Sequence, residues 1–359
     1  MKTKLLFFCL FLSLCGYTAS ALSVAPDNSL LLYEGRVLVN ADSASFCYPG
    51  TSVRVAFQGT GIAVELKNNA GYYWVEIDSM KPFKISTHKK ELAGKRSIYS
   101  LAVGLAPGVH NLQLTLVNEG LFSRPQIYGF ILPDSTQLCQ ARRKKHRIEF
   151  VGNSMTCGYG VEAPSKYDGF ADSTENFALA YAGIVSRYFD AEPMVIARSG
   201  IGIYRNYAGP RRGSFNPLPS FYDRSFIFGS PKWNFSSFSP EVVCICLGTN
   251  DLSAGRYSMR LFHSAYYNFV GHVREIYPHA RIILISGSML TGRRLHDQRR
   301  LLDGVYQRLK QNGADNIYRF DFSPLDPTLG YGADWHPSIP QQRVMADELT
   351  RFIEKILGW

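Results

Sequence analysis

The run Ile148-Glu149-Phe150-Val151-Gly152-Asn153-Ser154, continuing as Met155-Thr156-Cys157-Gly158-Tyr159-Gly160, decides how the chain reads. A short apolar segment stops at a glycine and passes into a glycine-rich turn. That pattern predicts a buried strand whose carboxyl end opens into a loop. Ser154 then projects from the sheet edge, with its own backbone N–H aimed into the same space. Taken alone, a serine after a strand is commonly a turn or cap residue, so the rest of the chain has to decide.

Downstream the rhythm repeats. Asp172 and Glu175 form a capping-box pattern, and Phe177, Tyr181, Ile184 and Tyr188 predict a helix with one apolar face. Strands are expected at Met194 to Ala197, Val242 to Leu247, Arg281 to Ser286 and Ile317 to Phe322. Helices are expected between them, near 258–277 and 296–311. A last helix is capped by Ser338, carries Pro340 in its first turn and buries Met345, Leu349, Phe352 and Ile356. Strands alternating with helices predict an α/β three-layer domain with a parallel sheet over 148–359. In such sheets the active site lies outside the carboxyl ends of the strands.

Upstream the period changes to two. Ser52 to Phe57, Gly61 to Leu66, Tyr73 to Ile77 and His110 to Leu116 alternate, with turns at Pro49-Gly50, Gly59 and Pro107-Gly108. This predicts a jelly-roll-like β-sandwich as an N-terminal domain over 22–141. The basic run Arg142-Arg143-Lys144-Lys145-His146-Arg147 joins the two halves and holds much of the formal charge of +10. It reads as a solvated connector and not as a nucleic-acid site. Lys2 and Lys4, the apolar run Leu5 to Leu14 and Ala19-Ser20-Ala21 predict a cleaved signal peptide over 1–21, which makes the protein secreted or periplasmic. Lipoprotein anchoring at Cys15 fits less well, because Leu14 precedes it where a small residue is wanted. No segment is long and apolar enough for a transmembrane span. Export leaves Cys47, Cys139, Cys157, Cys244 and Cys246, and only Cys47 with Cys139 is worth testing as a bridge.

Four polar motifs fall at expected strand ends. After Ser154 comes Ala197-Arg198-Ser199-Gly200-Ile201-Gly202, whose glycines let backbone N–H groups approach a substrate closely. Leu247-Gly248-Thr249-Asn250-Asp251 offers a carboxamide that can donate to a developing oxyanion without carrying charge. Asp334-Trp335-His336-Pro337-Ser338 puts a histidine just before the last helix, whose positive end keeps the imidazole neutral. Each motif alone is explicable as a turn. Their order together predicts a catalytic set, although the Gly-x-Ser-x-Gly elbow of the α/β-hydrolases is absent.

That order, Gly-Asn-Ser, Ser-Gly-Ile-Gly, Gly-Thr-Asn-Asp and Asp-x-His-Pro, resembles the blocks of the SGNH (GDSL-like) hydrolases, which have a flavodoxin-like catalytic domain. With a leading β-domain, the chain is more narrowly similar to carbohydrate esterase family 2, the acetyl (xylan) esterases. Gly158-Tyr159-Gly160, Thr174 to Phe177, Tyr204-Arg205-Asn206 and Trp233-Asn234-Phe235 are similar in kind and placement. The resemblance implies Ser154 as nucleophile, His336 as base, and an oxyanion hole from the Ser154 N–H, Gly202 or else Gly200, and the Asn250 side chain. Trp335 and Tyr204 are the candidate substrate-binding residues. Asn153 stands where the GDSL name has aspartate, a role that supports the turn. Asp334 is the candidate orienting acid, but it lies two residues before His336 where many such enzymes have three. Either its carboxylate or its main-chain carbonyl is expected at the imidazole.

The implied reaction is acyl transfer through a covalent intermediate, with acetylated polysaccharide or oligosaccharide as substrate and no cofactor or metal. A lipase-like or sialate-type acylhydrolase on the same fold is the alternative enzyme, and a non-catalytic carbohydrate-binding protein the alternative of another class. The sequence leaves the oligomeric state open.

Overall fold

The computed structural model describes residues 22–133, 136–227 and 231–359. The signal-peptide expectation for 1–21 lies outside them. The first half is a β-sandwich. One antiparallel sheet runs through Leu38–Val39, Ala44–Ser45, Gln126–Leu132, Ile62–Lys67 and Arg96–Ala102, with Leu22–Val24 also paired to Gln126–Leu132. The facing sheet runs through Gln137–Cys139, Ser52–Gly59, Gly108–Leu116, Tyr72–Ile77 and Phe83–Ser86, with Leu32–Glu34 also on Ser52–Gly59. Alternation sends Val53, Val55, Phe57, Val64, Leu66, Tyr73, Val75, Leu112 and Leu114 into one shared core.

The second half is a five-stranded parallel sheet: β1 (His146–Gly152), β2 (Ala191–Ala197), β3 (Val242–Ile245), β4 (Arg281–Ser286) and β5 (Ile317–Asp321), in the order β2-β1-β3-β4-β5. Helices α1 (Ser154–Cys157), α2 (Tyr181–Tyr188), α3 (Thr249–Ser253), α4 (Met259–Ile276), α5 (Gly292–Gln311) and α6 (Ile339–Leu357) complete it. One apolar cluster packs α4 and α5 on one face, and a second packs α2 and α6 on the other. The strand order reverses beside β1, so the crevice that such folds use opens at the end of β1, where Ser154 stands.

Three expectations are corrected. The capping box at Asp172 and Glu175 does not start a helix: α2 begins at Tyr181, after a 3-10 turn at Phe177–Leu179 capped by Asn176. Glu175 turns inward instead and accepts the Glu119 N–H at 2.8 Å, a buried partner that a surface cap cannot match. The basic connector is solvated only in part: Arg142, Arg143, Lys145 and Arg147 are exposed, while Lys144 and His146 are drawn inward. Arg142 grips Asp190 through two nitrogens at 2.7 and 3.0 Å, Lys144 pairs with Glu34 at 3.0 Å, and His146 stacks on Trp359 while already inside β1. Cys47 and Cys139 are free thiols, Cys47 buried in the core and Cys139 packed on the sheet edge near Leu32 and Ala56, so no bridge joins them.

The two halves are locked by Arg36, a fully buried residue of the sandwich half. Its guanidinium lies over Tyr222, Trp233 and Phe235, 5.3, 5.5 and 5.3 Å from the ring centroids. One nitrogen donates to the carbonyls of Tyr222 and Arg224, and the other two meet no acceptor among the described residues. Rings replace hydrogen bonds there, as desolvated cation–π packing allows. Buried Glu149 accepts the Tyr222 and Tyr277 hydroxyls, and the Arg36 charge nearby draws its pKa down against the larger upward pull of burial. Replacing Arg36 by Ala should strand that carboxyl and cost about 3 kcal/mol or more. Denaturant unfolding of the mutant checks this.

Candidate active site

Ser154 opens α1 directly after β1. Asn153 caps that short helix, its side chain accepting the Met155 N–H at 3.2 Å, the turn-supporting role expected of it. The turn has no slack: a Cβ at Gly152 would lie 2.0 Å from Thr156 Oγ1, which is itself bonded to the Tyr181 hydroxyl at 2.8 Å. Ser154 is 6 % exposed, and its N–H has no partner among the described residues.

His336 reaches it from the loop before α6. A Cβ at Gly160 would lie 2.3 Å from Ala333 Cβ, and one at Gly332 would lie 2.4 Å from the Gly160 carbonyl. Glycine on both sides therefore lets the histidine loop lie directly on the serine turn, tied by Ala333 N–H to Gly160 O at 3.0 Å. His336 Nε2 stands 2.9 Å from Ser154 Oγ, and Nδ1 stands 3.0 Å from the Ala333 carbonyl. A carbonyl only accepts, so Nδ1 carries the proton and Nε2 is left to accept from the serine hydroxyl. The ring stacks under Tyr159, centroids 4.1 Å apart. Removal from water pulls its pKa to about 4, against the opposing pull of the Ala333 carbonyl and the Asp334 charge. The imidazole is neutral at rest.

Asp334 does not orient the imidazole through its carboxylate; its main-chain carbonyl adds a second, smaller pull on the ring beside the Ala333 carbonyl. Its carboxylate accepts the Tyr159 hydroxyl at 2.5 Å, and the carbonyl at Nδ1 belongs to Ala333, one residue earlier. The cause is local. Asp334 and Trp335 both have positive φ, 49° and 61°, and this left-handed turn carries the Asp334 side chain to Tyr159.

Asn250, at the start of α3, donates one amide hydrogen to Ile201 O at 2.7 Å, leaving the second. The two candidate glycines differ. Gly202 must be glycine for lack of room, since a Cβ would lie 1.9 Å from Arg205 O, and its N–H already donates to Asn206 Oδ1 at 3.1 Å. Gly200 is glycine for its φ of +75°, and its N–H has no partner among the described residues. Asp251 holds the following backbone by accepting the N–H groups of Ile203, Tyr204 and Arg205 at 3.0, 2.9 and 2.9 Å. Burial raises its pKa to about 6 despite those three donors.

Trp335 is 47 % exposed beside His336, edged by Tyr167 and Tyr331 and covered by Lys166 at 4.0 Å. Tyr204 is buried instead, its hydroxyl accepting the Ser258 N–H at 2.8 Å before α4. The exposed aromatic at the Gly200 turn is Tyr207, whose N–H donates to Gly200 O at 2.8 Å. Sequence reasoning missed Tyr159, Asp251 and Tyr207, although Tyr159 and Asp251 stand inside motifs it quoted. Glu119, Cys157 and Glu175 bring three potential metal-ligand atoms within 4.8 Å. Two of those groups are already engaged, Glu119 Oε1 by the Ser199 N–H and Glu175 Oε2 by the Glu119 N–H, each at 2.8 Å, and burial raises the Cys157 thiol and the Glu175 carboxyl.

Residues 33–141 match the carbohydrate esterase 2 N-terminal model, and residues 150–343 match the GDSL-like lipase/acylhydrolase family. A solved family two carbohydrate esterase from Clostridium thermocellum, in complex with cellohexaose, is 33 % identical with a TM-score of 0.85. The alignment covers 92 % of this chain and 99 % of that one. The chain belongs to carbohydrate esterase family 2. The cellulase/esterase CelE of Acetivibrio thermocellus is 34 % identical over 93 % of this chain, which spans only 40 % of CelE's length. An acetylxylan esterase / glucomannan deacetylase of Cellvibrio japonicus is 27 % identical over 96 % of this chain and 97 % of its own. Family 2 membership thus covers both halves, sandwich and hydrolase domain alike.

Two outcomes follow for this family 2 site. Asp334→Ala keeps the Ala333 carbonyl and should lower kcat about tenfold or less, where loss of a triad acid costs about ten-thousandfold. A base is active above its pKa and lost as pH falls through it, so the acid limb of kcat/KM should fall near pH 4, well below the usual histidine value. Steady-state kinetics across pH on the wild type and mutant test both.

Proposed function

We propose that the chain is a secreted carbohydrate O-acetylesterase, with Ser154 as nucleophile and His336 as general base, acting on acetylated xylan or glucomannan of plant cell walls. The observation that carries this reading is the 2.9 Å contact between His336 Nε2 and Ser154 Oγ, with the proton held on Nδ1 by a carbonyl. His336 takes the hydroxyl proton as Oγ attacks the ester carbonyl. The Ser154 N–H, the free Asn250 amide hydrogen and a glycine N–H of the 200–202 turn receive the oxyanion charge. Collapse breaks the bond to the sugar oxygen, which takes the proton from His336. Water, deprotonated by the same imidazole, then releases acetate and restores Ser154.

Trp335 is the surface for a sugar ring, since its exposed indole stands next to the base. The substrate class is supported by the acetylxylan esterase / glucomannan deacetylase relative and by family membership. Export rests on the signal-peptide pattern of 1–21, and no described helix is long and apolar enough to cross a membrane.

Acetate release from acetylated xylan, glucomannan and simple acetylated sugars tests the reading. Ser154→Ala should abolish it in a folded protein, and Asn250→Ala should lower kcat about a hundredfold with little change in KM. Faster turnover of octanoyl than of acetyl nitrophenyl esters would favour a lipase-like enzyme instead.

A further inference from the structure

The turn that follows β2 is held from the other domain. Ser199, immediately before Gly200, donates its N–H to Glu119 Oε1 at 2.8 Å, and Glu119 belongs to the loop after strand Gly108–Leu116 of the sandwich. Glu119 in turn donates its own N–H to Glu175 Oε2 at 2.8 Å, and Glu175 belongs to the hydrolase half. A side-chain oxygen of each, together with the Cys157 sulfur, lies within 4.8 Å of the others. Glu175 is fully buried, and its Oε1 finds no donor among the described residues. An ionised carboxylate there would be an unsatisfied acceptor. A carboxyl carrying a proton on Oε1 is instead the donor, with the Glu119 carboxylate as its acceptor.

We propose that Glu119 and Glu175 share one proton across the domain seam, and that this pair is a positioning device for the Ser199–Gly202 turn on which the oxyanion donors depend. The charges balance: the Glu119 carboxylate is matched by the Arg198 guanidinium, and the Glu175 carboxyl is neutral. The other titratable groups around the pair are Cys157, Asp172, Tyr159 and Cys47. Burial is the largest cause at all four and raises each of them, the Cys47 thiol to about 12. Removing the shared proton sets two carboxylates against each other around one guanidinium. The Glu119 carboxylate then shifts and the Ser199 N–H loses its anchor. Burial lifts the Glu175 carboxyl well above the ordinary carboxylate range, so the proton is lost only at a higher pH than an exposed glutamate would lose it.

Glutamine at 119 has the same shape. Its carbonyl accepts the Ser199 N–H, and its amide supplies a hydrogen that does not titrate. Because this inference rests on the esterase reading for its kinetic test, a second readout is independent of activity. In the full-length protein, the infrared C=O stretch of a protonated carboxyl should persist at pH 8 and be missing from Glu175→Gln. Kinetically, Glu119→Gln should keep kcat at pH 7 within about threefold, while its alkaline limb moves up by about one pH unit or disappears. Glu119→Ala should lower kcat about tenfold or more with KM within about twofold, the pattern of lost positioning. An unchanged alkaline limb in Glu119→Gln, absence of the protonated-carboxyl band from the wild type, or a folded Glu119→Ala with full kcat would each overturn the proposal. If Glu119→Ala does not fold, the glutamine profile and the infrared band decide. An inactive wild type with the band present would count against the esterase reading and not against the shared proton.

Discussion

The hydrogen bond from His336 Nδ1 to the Ala333 carbonyl is the interaction on which the site depends. It fixes which nitrogen carries the proton, and so leaves Nε2 as an acceptor 2.9 Å from Ser154 Oγ. A carbonyl contributes less to an imidazolium than a carboxylate does, because it is a dipole and not a charge. Position makes up part of the difference. Ala333 is pinned to Gly160, Gly160 and Gly332 touch through their backbones, and Tyr159 lies flat on the imidazole. The histidine loop and the serine turn are in effect one packed unit, so little reorganisation is left for the reaction to supply.

The sandwich takes part in that unit's surroundings. Arg36 reaches across the seam into a cage of three aromatic rings over the buried carboxyl of Glu149, a β1 residue. Glu119 reaches across near the carboxyl end of β1, to the turn after β2. Both contacts bury charge and satisfy it only when the two halves are together. A buried charge that loses its partner is strongly destabilising, so separation of the halves is penalised at both contacts.

Much of this was legible in the sequence, for a physical reason. Ile62, Val64 and Leu66 alternate because one face of the strand is buried, and Val242 to Ile245 do not because both faces are. Ser154, Asn250 and His336 were legible because each follows a break at the carboxyl end of a strand or loop that glycines mark. Asp334 was misread because its side-chain direction is set by two consecutive left-handed residues, which no spacing rule reports. Tyr204 was taken for a substrate contact, yet its hydroxyl is spent on the Ser258 N–H. Glu175 read as a helix cap because its partner, Glu119, lies 56 residues away in the other domain. Long-range polar pairs leave no local pattern, whereas apolar periodicity does.

The central claim is that Ser154, activated by a neutral His336 without a carboxylate behind it, forms the acyl-enzyme. Rapid acid quench of the wild-type protein mixed with an acetyl ester, followed by peptide mass spectrometry, tests it most directly. One acetyl group on the peptide that contains Ser154, present in Asp334→Ala as well as in the wild type and lost in His336→Ala, is the expected result. No acetyl-peptide in any sample, or acetyl on a residue other than Ser154, would contradict it.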